Sequence, residues 1–173
     1  MQKQNIVLVG FMGCGKTSVG KALAAKLAWT HTDIDELVVQ REGISISSLF
    51  AERGEAAFRA IESSIIEETM QGQQQVISTG GGAVLAEANR QAMLDKGLVV
   101  TLKADKATII ARVQNDASRP LLQGNLEERV EQLLQQRSAA YDFADVIIDT
   151  TPYSVEEIVD RIVSEWDRIT GGI

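Results

Sequence analysis

The apolar residues of this chain fall into short unbroken runs separated by longer amphipathic stretches. Ile6-Val7-Leu8-Val9, Val76-Ile77-Ser78-Thr79, Leu98-Val99-Val100-Thr101-Leu102 and Val146-Ile147-Ile148 are rich in β-branched residues, and each predicts a buried strand. Between the first two, Val19, Leu23, Ala24 and Leu27 recur at helical spacing over Ser18 to Leu27. A second strand is predicted to end near Asp33, with a helix starting near Asp35 and running through Glu36 to Arg41. Gly43 breaks that helix, Ser45 or Ser47 can cap a short one around Ile46 to Glu52, and Gly54 punctuates again before Glu55 to Met70. On this last helix Phe58, Ile61 and Ile65 are expected on the packed face, with Arg59 and Glu62 on a charged one. Further helices are predicted at Glu87 to Lys96, Lys106 to Val113, Glu127 to Ala140 and Val155 to Ile169, and the polar stretch Gln114 to Gly124 reads as a mobile loop. Strands alternating with helices predict an α/β fold, a parallel sheet covered on both faces, with ligands at the carboxyl ends of its strands.

The first strand runs into Gly10-Phe11-Met12-Gly13-Cys14-Gly15-Lys16-Thr17, a G-x-x-x-x-G-K-[ST] loop that opens a helix. Glycines let backbone N–H groups converge on anionic oxygens, and the following helix adds the positive end of its dipole. Lys16 can then reach the β- and γ-phosphates of a nucleotide, and the Thr17 hydroxyl a Mg2+ ion.

Length and composition narrow the setting. At 173 residues the chain fits one domain, residues 1–173, with enough core to need no disulfide or structural metal. One cysteine, Cys14, cannot form an internal disulfide, and the single histidine, His31, leaves no cluster for zinc, so His31 is read as structural. These features suit the cytoplasm. A strand begins within a few residues of Met1, which leaves no room for a signal peptide, and no apolar run approaches the ~18 residues of a membrane span. The net charge of −7 disfavours nucleic acid and anionic membranes as partners, so an anionic substrate must be drawn by local cations.

Phosphoryl transfer requires a phosphate cradle, a cation, a group that orients the acceptor hydroxyl and positive charge on the transferring group. Asp33 lies closest to a strand end and is assigned to the metal. Asp35 is assigned to the acceptor hydroxyl, the alternative being that it merely caps the next helix. Arg59, with Glu55 and Glu62 within one turn, is either a surface ion pair or a carboxylate clamp held by Glu62. Thr79-Gly80-Gly81-Gly82 gives the backbone unhindered access to a ligand, unless it is a plain turn. Arg119, in Arg119-Pro120-Leu121-Leu122, can close on the γ-phosphate as a finger supplied in cis. Arg112 can stack on a purine or remain an exposed helix residue, and Arg137, four residues before Tyr141, can add a second carboxylate contact or be a surface cation. Cys14 is given no catalytic role, though its oxidation or alkylation is expected to hinder nucleotide binding sterically.

Together, GFMGCGKT, Asp33-x-Asp35, Phe58-Arg59 followed by Ile61-Glu62, Thr79-Gly80-Gly81-Gly82, Arg119-Pro120-Leu121-Leu122 and Arg137-x-x-x-Tyr141 resemble shikimate kinases from about Ile6 to Ile169. The resemblance implies a nucleoside-monophosphate-kinase-like fold, a five-stranded parallel sheet in the order 2-3-1-4-5. It implies one kinase domain with a phosphate loop at 10–17, a substrate segment at about 33–62 and a lid at about 112–124. It also implies ATP, Mg2+ and phosphorylation of the shikimate 3-hydroxyl on the route to aromatic amino acids, by a cytoplasmic monomer. Carried onto this sequence, Asp35, Lys16 and Arg119 are catalytic, and Asp35, Arg59, Gly80, Gly81, Gly82 and Arg137 bind substrate. Gly13, Cys14, Gly15, Lys16, Thr17, Ser18, Arg112, Arg119 and Pro152 meet the nucleotide, with Thr17 and Asp33 at the metal. Met12 and Cys14 depart from the smaller residues common in such loops. The nearest rival is a same-fold kinase such as gluconate kinase. A regulatory nucleotide-binding module is disfavoured because the chain has neither an N-K-x-D nor a D-x-x-G motif.

Overall fold

The structure, a computed structural model, describes residues 2–114 and 124–172. Arg119 to Leu122, the expected finger and most of the expected lid, lie outside the described residues. Five strands, β1 (Asn5–Val9), β2 (Thr30–Asp33), β3 (Gln75–Ser78), β4 (Gly97–Lys103) and β5 (Val146–Asp149), form a parallel sheet in the order β2-β3-β1-β4-β5. The central strand β1 is buried at every position, which its unbroken apolar run requires in a sheet covered on both faces. Leu8 and Asp33 both pair with Ser78, so β1, β2 and β3 end at one level and the loops after them share one edge of the sheet.

Among the described residues seven α-helices cover the sheet: α1 (Lys16–Leu27), α2 (Ile34–Glu42), α3 (Ile46–Thr69), α4 (Glu87–Lys96), α5 (Lys106–Val113), α6 (Leu126–Arg137) and α7 (Val155–Thr170). Their starts follow capping chemistry. Ser45, Asp105, Asn125 and Ser154 each accept a backbone N–H of the first turn, and Ser154 with Glu157 completes a capping box. Helices α1 and α4 have no side-chain cap, and in α1 the N-cap is Gly15 with φ of 90°. The first N–H groups of α1 face the phosphate loop instead.

Gly54, with φ of 81°, interrupts α3 as expected and divides it into an N-terminal part and the longer part from Glu55 onward. The face assignment on that helix needs correction. Glu62 is 0% exposed, because Phe58, Glu62 and Ile65 occupy i, i+4 and i+7 on the inward stripe, while Ile61 is only half buried.

Candidate active site

Two adjoining clefts open at the carboxyl edge of the sheet. One of about 230 Å3 is lined by Gly13, Gly15, Lys16, Thr17, Ser18 and Asp33, with Arg112 at its border. The other, about 320 Å3, is lined by Arg59, Glu62, Gly82 and Arg137, with Met12, Phe50 and Phe58 as an apolar wall. Asp35, Gly80 and Gly81 line both.

In the first cleft, Gly10, Gly13 and Gly15 all have positive φ, and a Cβ on Gly10 would overlap Leu102 O of β4. Lys16 is buried and donates to Gly10 O at 2.6 Å and Phe11 O at 2.9 Å, which lays its side chain along the loop. Thr17 Oγ1 donates to Asp33 Oδ2 at 3.2 Å, while Asp33 Oδ1 accepts the N–H groups of Asp35 and Glu36. The helix cap is therefore Asp33, and Asp35 lines both clefts. Thr17 and Asp33 supply hard oxygen donors, and no group of three or more His, Cys, Asp or Glu forms a metal cluster among the described residues. That donor set fits an ion such as Mg2+, which takes one or two protein oxygens and completes its shell with phosphate and water.

Arg112 Nη1 donates to Gly13 O at 2.8 Å, so its guanidinium is held beside the phosphate cleft by the loop itself. Cys14 and Pro152 are not brought to either cleft. The Cys14 N–H closes the loop on Phe11 O at 3.3 Å, and its side chain, 2% exposed, packs in the core, where burial pushes the thiol pKa up. Pro152 sits exposed in the turn before α7. His31 is structural as read: its Nε2 lies 3.0 Å from Ser78 Oγ, which donates to Lys16 O at the start of α1.

The second cleft is organised by the glycine run. A Cβ on Gly80 would lie 3.0 Å from Glu62 Oε2 and 3.1 Å from Asp35 Oδ1. One on Gly81 would lie 3.3 Å from both Arg137 Nη1 and Met12 N, and one on Gly82 would be 2.6 Å from Arg59 Cζ. Each glycine thus gives room to a different charged side chain. Arg59 Nη1 donates to Glu62 Oε1 at 2.8 Å, and Nη2 reaches Glu55 Oε1 at 3.5 Å. Glu62 Oε2 and Arg59 Nε have no hydrogen-bond partner. Burial raises the Glu62 pKa against the opposing pull of Arg59. Arg137, the last residue of α6, is 4% exposed, which rules out a surface cation. Sequence reasoning missed the burial of Glu62, which its place on the Phe58–Ile65 stripe signals, and the apolar wall formed with Met12 and the Phe50–Phe58 pair.

A cleft built for phosphates, abutting one that carries two guanidinium groups with a carboxylate common to both, defines a phosphate-loop kinase of a small polar acceptor. Residues 12–167 match the family described as shikimate kinase. The chain is 42% identical over 170 residues to a shikimate kinase from Thermodesulfovibrio yellowstonii, covering 98% of each, and 43% identical over 162 residues to one from Geobacter sulfurreducens, covering 93% of this chain and 90% of the other. It is also similar to the solved structure of shikimate kinase from Acinetobacter baumannii in complex with shikimate, with a TM-score of 0.91 at 33% identity over 94% of this chain and 92% of that one. The chain belongs to the shikimate kinase family. A gluconokinase from Sinorhizobium meliloti, at 16% identity and a TM-score of 0.64 over 99% of this chain and 96% of that one, shares the fold alone.

Proposed function

We propose that the chain transfers the γ-phosphoryl group of ATP to the 3-hydroxyl of shikimate, giving shikimate 3-phosphate and ADP on the route to aromatic amino acids. The observation that carries this reading is the sharing of Asp35, Gly80 and Gly81 by the two clefts, which sets one carboxylate where acceptor and phosphate must meet. Arg59 and Arg137 hold the acceptor carboxylate, each charge-assisted contact contributing about 1.5–3 kcal/mol. Asp35 accepts the proton of the attacking hydroxyl, and Lys16 and the N–H groups of the phosphate loop hold the β- and γ-phosphates. A Mg2+ ion held by Thr17 and Asp33 would neutralise charge between these phosphates. Arg119 supplies a further cation from the chain between α5 and α6.

We read the chain as a single kinase domain acting as a monomer in the cytoplasm, a compartment that suits one cysteine without an internal partner. A coupled ADP-release assay with shikimate, quinate and gluconate side by side tests the reading. Turnover with shikimate alone is the expected result, and gluconate-dependent turnover without shikimate activity would overturn it.

A further inference from the structure

Tyr141 joins three parts of the acceptor site. Its backbone carbonyl accepts from Thr101 Oγ1 of β4 at 2.7 Å, its side chain is 5% exposed, and its Oη donates to Gly81 O at 2.6 Å. Four residues earlier stands Arg137, whose Nη1 lies 3.3 Å from the point a Gly81 Cβ would occupy, so guanidinium and phenol meet at the same glycine, and the Arg137 charge bears on the phenol. A phenol has one proton and an oxygen that also accepts, whereas a guanidinium only donates. With the phenolic proton given to the Gly81 carbonyl, the Tyr141 oxygen can only accept from the Arg137 side. The Gly81–Gly82 peptide is trans, so the Gly82 N–H points opposite to that carbonyl, away from the phenol.

We propose that Tyr141 is a positioning residue for the acceptor: its hydroxyl holds the Arg137 guanidinium and sets the Gly81–Gly82 peptide, so that the guanidinium and the Gly82 N–H are presented together to the substrate carboxylate. This rests on the reading of Arg137 as a carboxylate-holding group. Burial pushes the Tyr141 pKa up to about 12, so the phenol keeps the proton that the Gly81 carbonyl needs. Two donors fixed in place lose less freedom on binding than two that must be gathered, so the hydroxyl acts on substrate affinity without touching substrate.

Tyr141→Phe keeps the ring in the core and deletes only the oxygen. Steady-state constants for shikimate and ATP and the melting temperature are measured for the wild type, Tyr141→Phe, Arg137→Ala and the double variant. We expect Tyr141→Phe to raise the shikimate KM about ten-fold, the scale of one hydrogen bond to a charged group, with the ATP KM within about two-fold. In the Arg137→Ala background the same change should lose the part of its effect that runs through the guanidinium and raise the shikimate KM by a smaller factor, through the Gly82 N–H alone. Equal rises in both KM values together with a lowered melting temperature would make Tyr141 merely structural and overturn the proposal. So would an unchanged shikimate KM in Tyr141→Phe while Arg137→Ala raises it. If Arg137→Ala itself leaves the shikimate KM unchanged, the assignment of Arg137 falls, and this proposal with it.

Discussion

The least intrusive test of the acceptor cleft is a single methyl group at Gly82. The backbone there has φ of −97° and ψ of 0°, a conformation alanine can adopt, so any effect comes from what the methyl touches. That is the Arg59 guanidinium, whose Cζ would be 2.6 Å and Nη1 2.8 Å from the new carbon. Ordinary contact requires about 3.5 Å, so the guanidinium must retreat by roughly 1 Å. A retreat of that size away from Glu62 breaks the 2.8 Å hydrogen bond between them, and the double variant below tests that cause. Glu62, with no exposure, is left without its cation. Losing one charge-assisted contact to the substrate costs about 1.5–3 kcal/mol, or roughly 10- to 150-fold in shikimate KM. Depriving a buried carboxylate of its partner costs a further ~1–3 kcal/mol of stability, about 2–4 °C in Tm for each kcal/mol in a chain of this size. Steady-state kinetics on Gly82→Ala, Arg59→Ala and the double variant check the cause. Once Arg59 is alanine the methyl has room, so Gly82→Ala should then add little to the shikimate KM. Equal fold-increases in both backgrounds would show that the methyl acts through the backbone, and the reasoning from Arg59 would fail.

Asp35→Asn should lower turnover by roughly 10^2-fold or more while leaving the ATP KM nearly unchanged, on the scale of a lost general base; steady-state turnover close to wild type would remove Asp35 from that role. Gly20 lies inside α1, where alanine normally gains about 0.5–1 kcal/mol, but its Cβ would stand 2.6 Å from Ser78 Oγ and 2.7 Å from His31 Nε2. Gly20→Ala should therefore lose roughly 1–3 kcal/mol by overpacking, read as a lowered Tm. The Glu62 pKa is raised in the folded state, so its contribution to stability is present below its unfolded value near 4.5 and is lost as pH rises through the higher folded value. Urea unfolding from pH 4 to 8 should show the wild type losing stability relative to Glu62→Gln, and a constant difference would contradict this. Because Cys14 is buried and burial raises its thiol pKa, a soluble alkylating reagent should label the native protein far more slowly than the unfolded chain, as mass spectrometry can follow.

What could be read from the sequence depended on whether a residue's role is local. The phosphate loop was legible because strand, glycines and helix follow one another within the chain, and the Gly54 break was legible because it needs no tertiary partner. Helix Lys106–Val113 was predicted to the residue, and in the folded chain Asp105 caps it. Two assignments needed the fold. Local reasoning offered Asp35 as the alternative cap, and only the folded chain shows that Asp33 caps the helix, with one oxygen on its N–H groups and the other on Thr17. Glu62 was placed on the charged face because its type was weighed more heavily than its i+4 position after Phe58.

The triple glycine shows the limit most clearly. Read alone, it offers backbone access to a ligand. In the folded chain the absent side chains make room for the protein's own charges: Asp35 and Glu62 at Gly80, Arg137 at Gly81 and Arg59 at Gly82. Four charged groups, from two helices and the last residue of a third, converge on three consecutive residues that carry no side chain. The ligand-access reading and the packing reading are then one statement, because a carboxylate placed over this run meets both backbone N–H groups and the guanidinium groups that the glycines admit. A substitution at any of the three positions should therefore register first in acceptor affinity. The nucleotide, cradled by residues 10–17, should sense it only where Gly80 and Gly81 line the phosphate cleft as well.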